Sequence, residues 1–137
     1  MLKSLPKILL AFDFGMRNIG VAVGQTITHS ATPLTILKAQ DGIPDWNQIA
    51  DLITTWHANG LVVGIPYNLD GSEQPVSLAA RKFARRLESR FKLPVFLVDE
   101  RFTTKVAKIE MQDKAQLVDS YAAKLILESW LMQQAKE

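Results

Sequence analysis

A chain of 137 residues with 47% hydrophobic and 22% charged residues has the size and balance of one ordinary globular domain, which excludes a disordered or collagen-like polymer. It contains no cysteine, which excludes a disulfide scaffold and thiolate metal sites and suits a reducing compartment. The formal net charge is only +2 and the pI about 9.0, so overall charge does not by itself argue for a polyanionic partner.

The first residues, MLKSLPKILLAFDFG, do not make a signal peptide, because Pro6 and Lys7 interrupt the apolar run and Asp13 ends it early. No apolar stretch approaches the roughly 18 residues that span a membrane, so no membrane partner and a cytoplasmic location are expected. No repeat or linker divides residues 1–137, which read as a single domain.

Residues 7–14 form a nearly continuous apolar run, the pattern of a central strand buried on both faces. Gly15 and Gly20 bracket a short polar segment, and residues 21–24 read as a second strand after a hairpin with Asn or Gly at positive φ. A third strand over residues 31–38 completes an antiparallel meander. Residues 45–58 have helical spacing, with Pro44 as a first-turn proline and Asn59-Gly60 as the stop. Residues 61–65 form a buried strand, residues 67–74 a polar loop, and residues 75–91 a helix with Val76, Ala80, Phe83 and Leu87 on one stripe. Another apolar strand covers residues 95–98. A short helix over residues 103–111 and a longer one over about 116–134 follow. Helices alternating with buried strands in the second half imply parallel pairing through right-handed crossovers, so the fold class is α/β, a mixed five-stranded sheet flanked by helices.

Charge is unevenly spread. Arg81, Lys82, Arg85, Arg86, Arg90 and Lys92 crowd one stretch with only Glu88 to offset them. This is either a solvated helix face or a patch that tracks phosphates.

Acidic residues break the apolar patterns at element ends. Asp13 closes the first strand, Asp99 and Glu100 close the last, and Asp119 lies near the start of the final helix. Helical spacing puts Ala122, Ala123, Ile126 and Trp130 on the side of Asp119, with Ser120, Lys124 and Glu128 opposite. A lone charge on that face costs several kcal/mol unless it is paired or metal-bound. Sites of α/β sheets form at the carboxyl ends of strands, where these acids could converge. Oxygen-only ligands suit Mg²⁺ or Mn²⁺, and two such ions roughly 3.5–4 Å apart can drive phosphodiester hydrolysis. Each acid taken singly is better explained as a turn cap or a helix-start acid, but that explanation is weaker for all of them together, since each interrupts an apolar pattern at a site-forming position. Neighbours on a strand face opposite ways, so only one of Asp99 and Glu100 points into such a site, and the spacing does not say which.

The ordered set of motifs resembles the YqgF family of Holliday junction resolvases, also described as pre-16S ribosomal RNA nucleases. The set is Asp13-Phe14-Gly15 with Gly20, Gly64-Ile65-Pro66, Asp70-Gly71, Asp99-Glu100-Arg101 with Thr103-Thr104, and Asp119 with Ala122-Ala123. The resemblance covers nearly the whole chain, and the DER-x-TT segment is its sharpest member. It implies a bacterial protein of ribonuclease H-like fold. It also implies divalent metal held by Asp13, an acid of the Asp99-Glu100 pair (Glu100 is favoured) and Asp119, and trimming of the 5′ end of the pre-16S RNA. Resolution of branched DNA is the alternative it carries, and both monomers and homodimers are compatible with it. One departure stands out: the stretch between the threonine pair and Asp119 is short, which reduces a basic arm over the site.

Further nucleic-acid contacts are expected from Arg17 and Asn18 in the turn beside Asp13, from Tyr67 and Asn68 in the polar loop, and from Arg101, Thr103 and Thr104. Each has a plain structural counterpart: a solvated turn, a polar connection, an ion pair or a cap. Two rival readings remain. Asp13-x-Gly15 with Gly20 also resembles the phosphate-binding hairpin of actin-like ATPases, although a second lobe is missing. The fold could also serve as a non-catalytic RNA-binding assembly factor.

Overall fold

The computed structural model describes residues 5–100 and 118–135. Strand β1 (Ile8–Asp13) lies inside the sheet, antiparallel to β2 (Asn18–Gln25) and parallel to β5 (Gly60–Ile65). Strand β3 (Ser30–Gln40) pairs with β2, and β6 (Val95–Asp99) runs parallel to β5. The five expected strands are therefore present, with the antiparallel meander on one side and the parallel pair on the other. A sixth, two-residue strand, β4 (Ile43–Pro44), is added beyond β3, giving the order β4-β3-β2-β1-β5-β6.

β1 as far as Phe12, and the whole of β5, are free of polar side chains because the sheet is covered on both faces. Alternation sends Leu10 and Phe12 of β1 to one face, with Leu61, Val63 and Ile65 of β5. Helices α1 (Trp46–Trp56) and α2 (Pro75–Phe91) close that face with Ile49, Ala80, Phe83, Ala84 and Leu87. Phe83 is its hub, packed against the rings of Phe12, Phe14 and Trp46 with centroids 5.3–5.9 Å away. Leu9, Ala11, Val62 and Val98 point to the other face, covered by α3 (Val118–Ala135) through Ile126, Leu127, Trp130 and Leu131.

Several local expectations change. Positive φ among the described residues falls at His29, Asp41, Gly42, His57, Gly71 and Lys92, and not in the turn between β1 and β2. That turn needs Gly15 for a different reason: a Cβ there would lie 2.5 Å from the carbonyl oxygen of Asn18. Pro44 sits in β4 and not in the first turn of α1. Asp45 caps the helix, its Oδ1 accepting the Asn47 N–H at 2.9 Å. The helix ends at His57, in the left-handed region at φ 55°, two residues before the expected stop. Asn59 instead stitches β5 to β1, its Oδ1 accepting the Ile8 N–H at 3.0 Å and its N–H donating to the Ile8 oxygen at 2.9 Å. Asp45→Ala should lower stability by about 1 kcal/mol, read as a lower denaturant midpoint with an unchanged slope.

The expected helix over residues 103–111 lies outside the described residues. No described helix is long and apolar enough to cross a membrane.

Candidate active site

Asp13 ends β1, the strand flanked by β2 and β5, and is only 8% exposed. Its register partners are Gly20 on β2 and Gly64 on β5. The carboxylate therefore stands between two strands that carry no side chain beside it. Alternation from Leu9 and Ala11 puts Asp13 on the face covered by α3.

The same alternation separates the acids that follow β6. Phe96 and Val98 belong to the α3 face, whereas Val95 packs on the α2 side. Asp99 continues the Val95–Leu97 row and is exposed, whereas Glu100 is 4% exposed. Glu100 is held at the strand end by its N–H, which donates to the Ile65 oxygen at 3.2 Å. Its side chain turns back across β5. A Cβ built on Gly64 would collide with Glu100 Oε2 and come within 2.5 Å of Ile126 Cδ1. Strands lie roughly 4.8 Å apart, so β1 and β6 are about two spacings from each other. The absent side chain of Gly64 is what lets the Glu100 carboxylate lean over the intervening strand toward Asp13.

Ile126 is the point where α3 meets this gap. Asp119 lies in the first turn of α3, two helical turns before Ile126 and on the same helical stripe; its side chain lies outside the described residues. The expected burial of Ala122, Ala123, Ile126 and Trp130 is observed. Lys124 and Glu128 form the i,i+4 pair on the outer side, 3.6 Å apart. Ser120 departs from expectation and is buried, because it shares a stripe with Leu127 and Leu131, seven and eleven residues on. Among the described residues no group of three or more acidic or imidazole side chains is placed to hold a metal.

The nucleic-acid candidates are scattered along the same end of the sheet. Arg17 is exposed in the turn after Asp13, and that turn is anchored by its backbone: the Met16 oxygen accepts from the Gly42 N–H and the Arg17 oxygen from the Ala39 N–H, both at 2.8 Å. Asn18 accepts from Lys38 Nζ at 3.4 Å. The loop after β5 is tied internally. Asn68 Nδ2 donates to Ser72 Oγ at 2.9 Å, and Asp70 Oδ1 accepts from the Ser72 N–H and hydroxyl at 2.8 and 2.6 Å. The Tyr67 hydroxyl accepts from Arg81, whose Nε also pairs with Glu73 Oε1 at 2.7 Å. Arg101, Thr103 and Thr104 lie outside the described residues. Sequence reasoning did not single out Ser77, which is fully buried, donates to the Pro66 oxygen and accepts the Gln74 N–H at 3.0 Å. It fixes the start of α2 to the end of β5, and a serine three residues after Gln74 at a helix start was the available signal.

A family model described as "RuvX: Holliday junction resolvase" matches residues 7–133. The chain belongs to the RuvX family. A RuvX relative from Coxiella burnetii (strain RSA 493 / Nine Mile phase I), named "Putative pre-16S rRNA nuclease", is 63% identical over 135 residues, covering 95% of this chain and 96% of its own. One of the same name from Nitrosococcus oceani is 51% identical over 137 residues, covering 96% of this chain and 90% of its own. Among solved structures, Thermus thermophilus RuvC in complex with a Holliday junction substrate superposes with a TM-score of 0.56 at 12% identity, over 94% of this chain and 96% of that one. The fowlpox virus resolvase bound to Holliday junction DNA gives a TM-score of 0.56 at 12% identity, over 93% and 98%. At such low identity these likenesses speak for the fold alone: the RuvX chain has the ribonuclease H-like fold.

Proposed function

We propose that this RuvX chain is a metal-dependent endonuclease that processes the 5′ end of pre-16S ribosomal RNA in the cytoplasm. The observation that supports the reading is that Asp13 and Glu100 are both nearly buried on the α3 face at the carboxyl ends of β1 and β6, with Gly64 on the strand between them. Two nearly buried carboxylates on one face suit a hard cation with oxygen ligands, which offsets their mutual repulsion. The donor set fits Mg²⁺ or Mn²⁺, with Asp13 and Glu100 as ligands and Asp119 as the third. Bound there, a pair of such ions supplies an activated water and stabilisation of the leaving oxygen.

The chain's own residues do the rest. Gly20 sets no side chain beside Asp13 on β2, and Gly64 leaves room on β5 for the Glu100 carboxylate. Ile126 seals the gap from beneath, so the carboxylates act against an apolar wall where charge interactions are strong. Arg17, on a turn held by two backbone hydrogen bonds, stands ready to meet a phosphate from the solvent side. Asp99, on the opposite face, serves the strand end and not the metal. The names of the RuvX relatives favour RNA; the family description favours branched DNA as the second reading.

Purified protein should cut a pre-16S RNA carrying its 5′ leader in Mn²⁺ or Mg²⁺, and stop cutting when a chelator is added. A four-way DNA junction in the same buffer is the comparison substrate. Cutting of RNA that survives chelation would overturn the metal reading. Cutting of the junction alone would transfer the activity to DNA.

A further inference from the structure

The basic stretch of α2 plays no part in the site just described. Ser77 pins the start of α2 to the end of β5, on the site's edge of the sheet, and the helix then runs back along the sheet. At about 1.5 Å per residue, positions 82 to 92 lie roughly 8 to 23 Å along the axis from Ser77. Leu78, Lys82, Arg85, Ser89 and Lys92 are exposed and recur at helical spacing, which makes them one outward stripe. Arg86 is half-buried on its flank.

Two of the cations in this stretch are already engaged. Arg81 pairs with Glu73, and Arg90 stacks on Trp46 with its guanidinium 4.5 Å from the ring centre. Lys82, Arg85, Arg86 and Lys92 are different: among the described residues none of them has an ion pair. Four cations with no ion pair among the described residues and one nearby carboxylate, Glu88, leave the stripe net positive, which favours a polyanion. Beside it, between α2 and β6, runs a groove of about 170 Å³ lined by Arg81, Ala84, Arg85, Glu88, Val95 and Leu97. Its floor is apolar, and Leu97 is 46% exposed there. Cations beside an apolar floor suit an unpaired nucleotide, which offers a phosphate and a base face together; a duplex hides its base faces.

We propose that the outer face of α2 and the α2–β6 groove form a docking track for single-stranded RNA flanking the bond to be cut. Phosphates lie on Lys82, Arg85, Arg86 and Lys92, and a base lies over Val95 and Leu97. The track rests on the nuclease reading and extends it, since it carries the strand away from Asp13 along the opposite side of the sheet.

The test measures binding of labelled single-stranded leader RNA to the full chain without metal, across a salt series, with cutting in Mg²⁺ or Mn²⁺ followed in parallel. Lys82→Gln/Arg85→Gln/Arg86→Gln should weaken binding about tenfold at low salt. It should also flatten the plot of log affinity against log salt by about 2, at roughly 0.7 for each single-strand phosphate that is no longer neutralised. Cutting at saturating RNA should persist, with the loss appearing in KM. Lys7→Gln/Lys124→Gln, which removes exposed or half-buried charge elsewhere, should leave the slope nearly unchanged. Leu97→Asn should weaken single-stranded RNA binding without changing the slope. A triple variant that binds with wild-type affinity and slope while the wild type cuts overturns the track and leaves the nuclease reading standing. Duplex RNA bound equally well, and weakened equally in the triple variant, overturns the single-stranded occupant. A wild type that neither binds nor cuts RNA overturns both readings.

Discussion

Asp13→Asn should reduce metal-dependent cutting by about a thousandfold or more while leaving the fold intact. The amide keeps the shape of the carboxylate but removes the charge that the proposed metal site needs. Metal stabilisation of a phosphodiester transition state is worth several kcal/mol, and each ~1.4 kcal/mol is tenfold in rate. The register partners of Asp13, Gly20 and Gly64, carry no side chain that could take its place. Thermal melts provide a readout independent of activity. A ligand that binds only the folded state raises its stability, so added Mg²⁺ or Mn²⁺ should raise the melting temperature of the wild type and not of the variant. A variant that cuts at the wild-type rate would remove Asp13 from the chemistry.

Gly64→Ala should damage both stability and activity, for separable reasons. The new methyl collides with the Glu100 carboxylate and lies 2.5 Å from Ile126 Cδ1. Overpacking a closed core costs typically 1–3 kcal/mol. Relief of the collision displaces the Glu100 carboxylate, and a displacement of about 1 Å in a catalytic constellation can cost roughly a hundredfold in rate. Pairing the change with Ile126→Val should recover part of the stability through the shared contact, while activity stays low because Glu100 is still displaced. Unchanged activity in Gly64→Ala would mean that the carboxylate position over β5 does not matter to the reaction.

Much of this architecture was legible in the chain because its causes are local. A strand buried on both faces reads as a nearly continuous apolar run, so β1 up to Phe12 and β5 announce themselves. Pro75 marks the first turn of α2, and the Ala80-Phe83-Leu87 spacing marks its inner face. What escaped was set by partners distant in sequence. β4 consists of two residues whose only strand character is pairing with Ala39 and Gln40. Ser120 is small and polar, and it gave no sign that the buried side of α3 is wide enough to include it. Which of Asp99 and Glu100 shares a face with Asp13 follows from the register of β6 on β5, where Gly64 stands beside Val98, and no local pattern encodes that pairing. Tyr67 and Arg81 meet only because α2 folds back toward the loop that precedes it.

The sheet keeps its two cores apart, and this has a consequence for how the chain is made. Synthesis proceeds from the amino end, and emerging segments collapse in that order. The core against α1 and α2 draws on strands and helices that all precede residue 100. The opposite face waits for α3, the last described element, and until then Leu9, Ala11, Val62 and Val98 have no cover from it. A nascent chain therefore has a half-finished stage in which one apolar layer is open and the wall beneath Asp13 and Glu100 is missing. Cutting competence should appear only after α3 has left the exit tunnel and closed over the sheet.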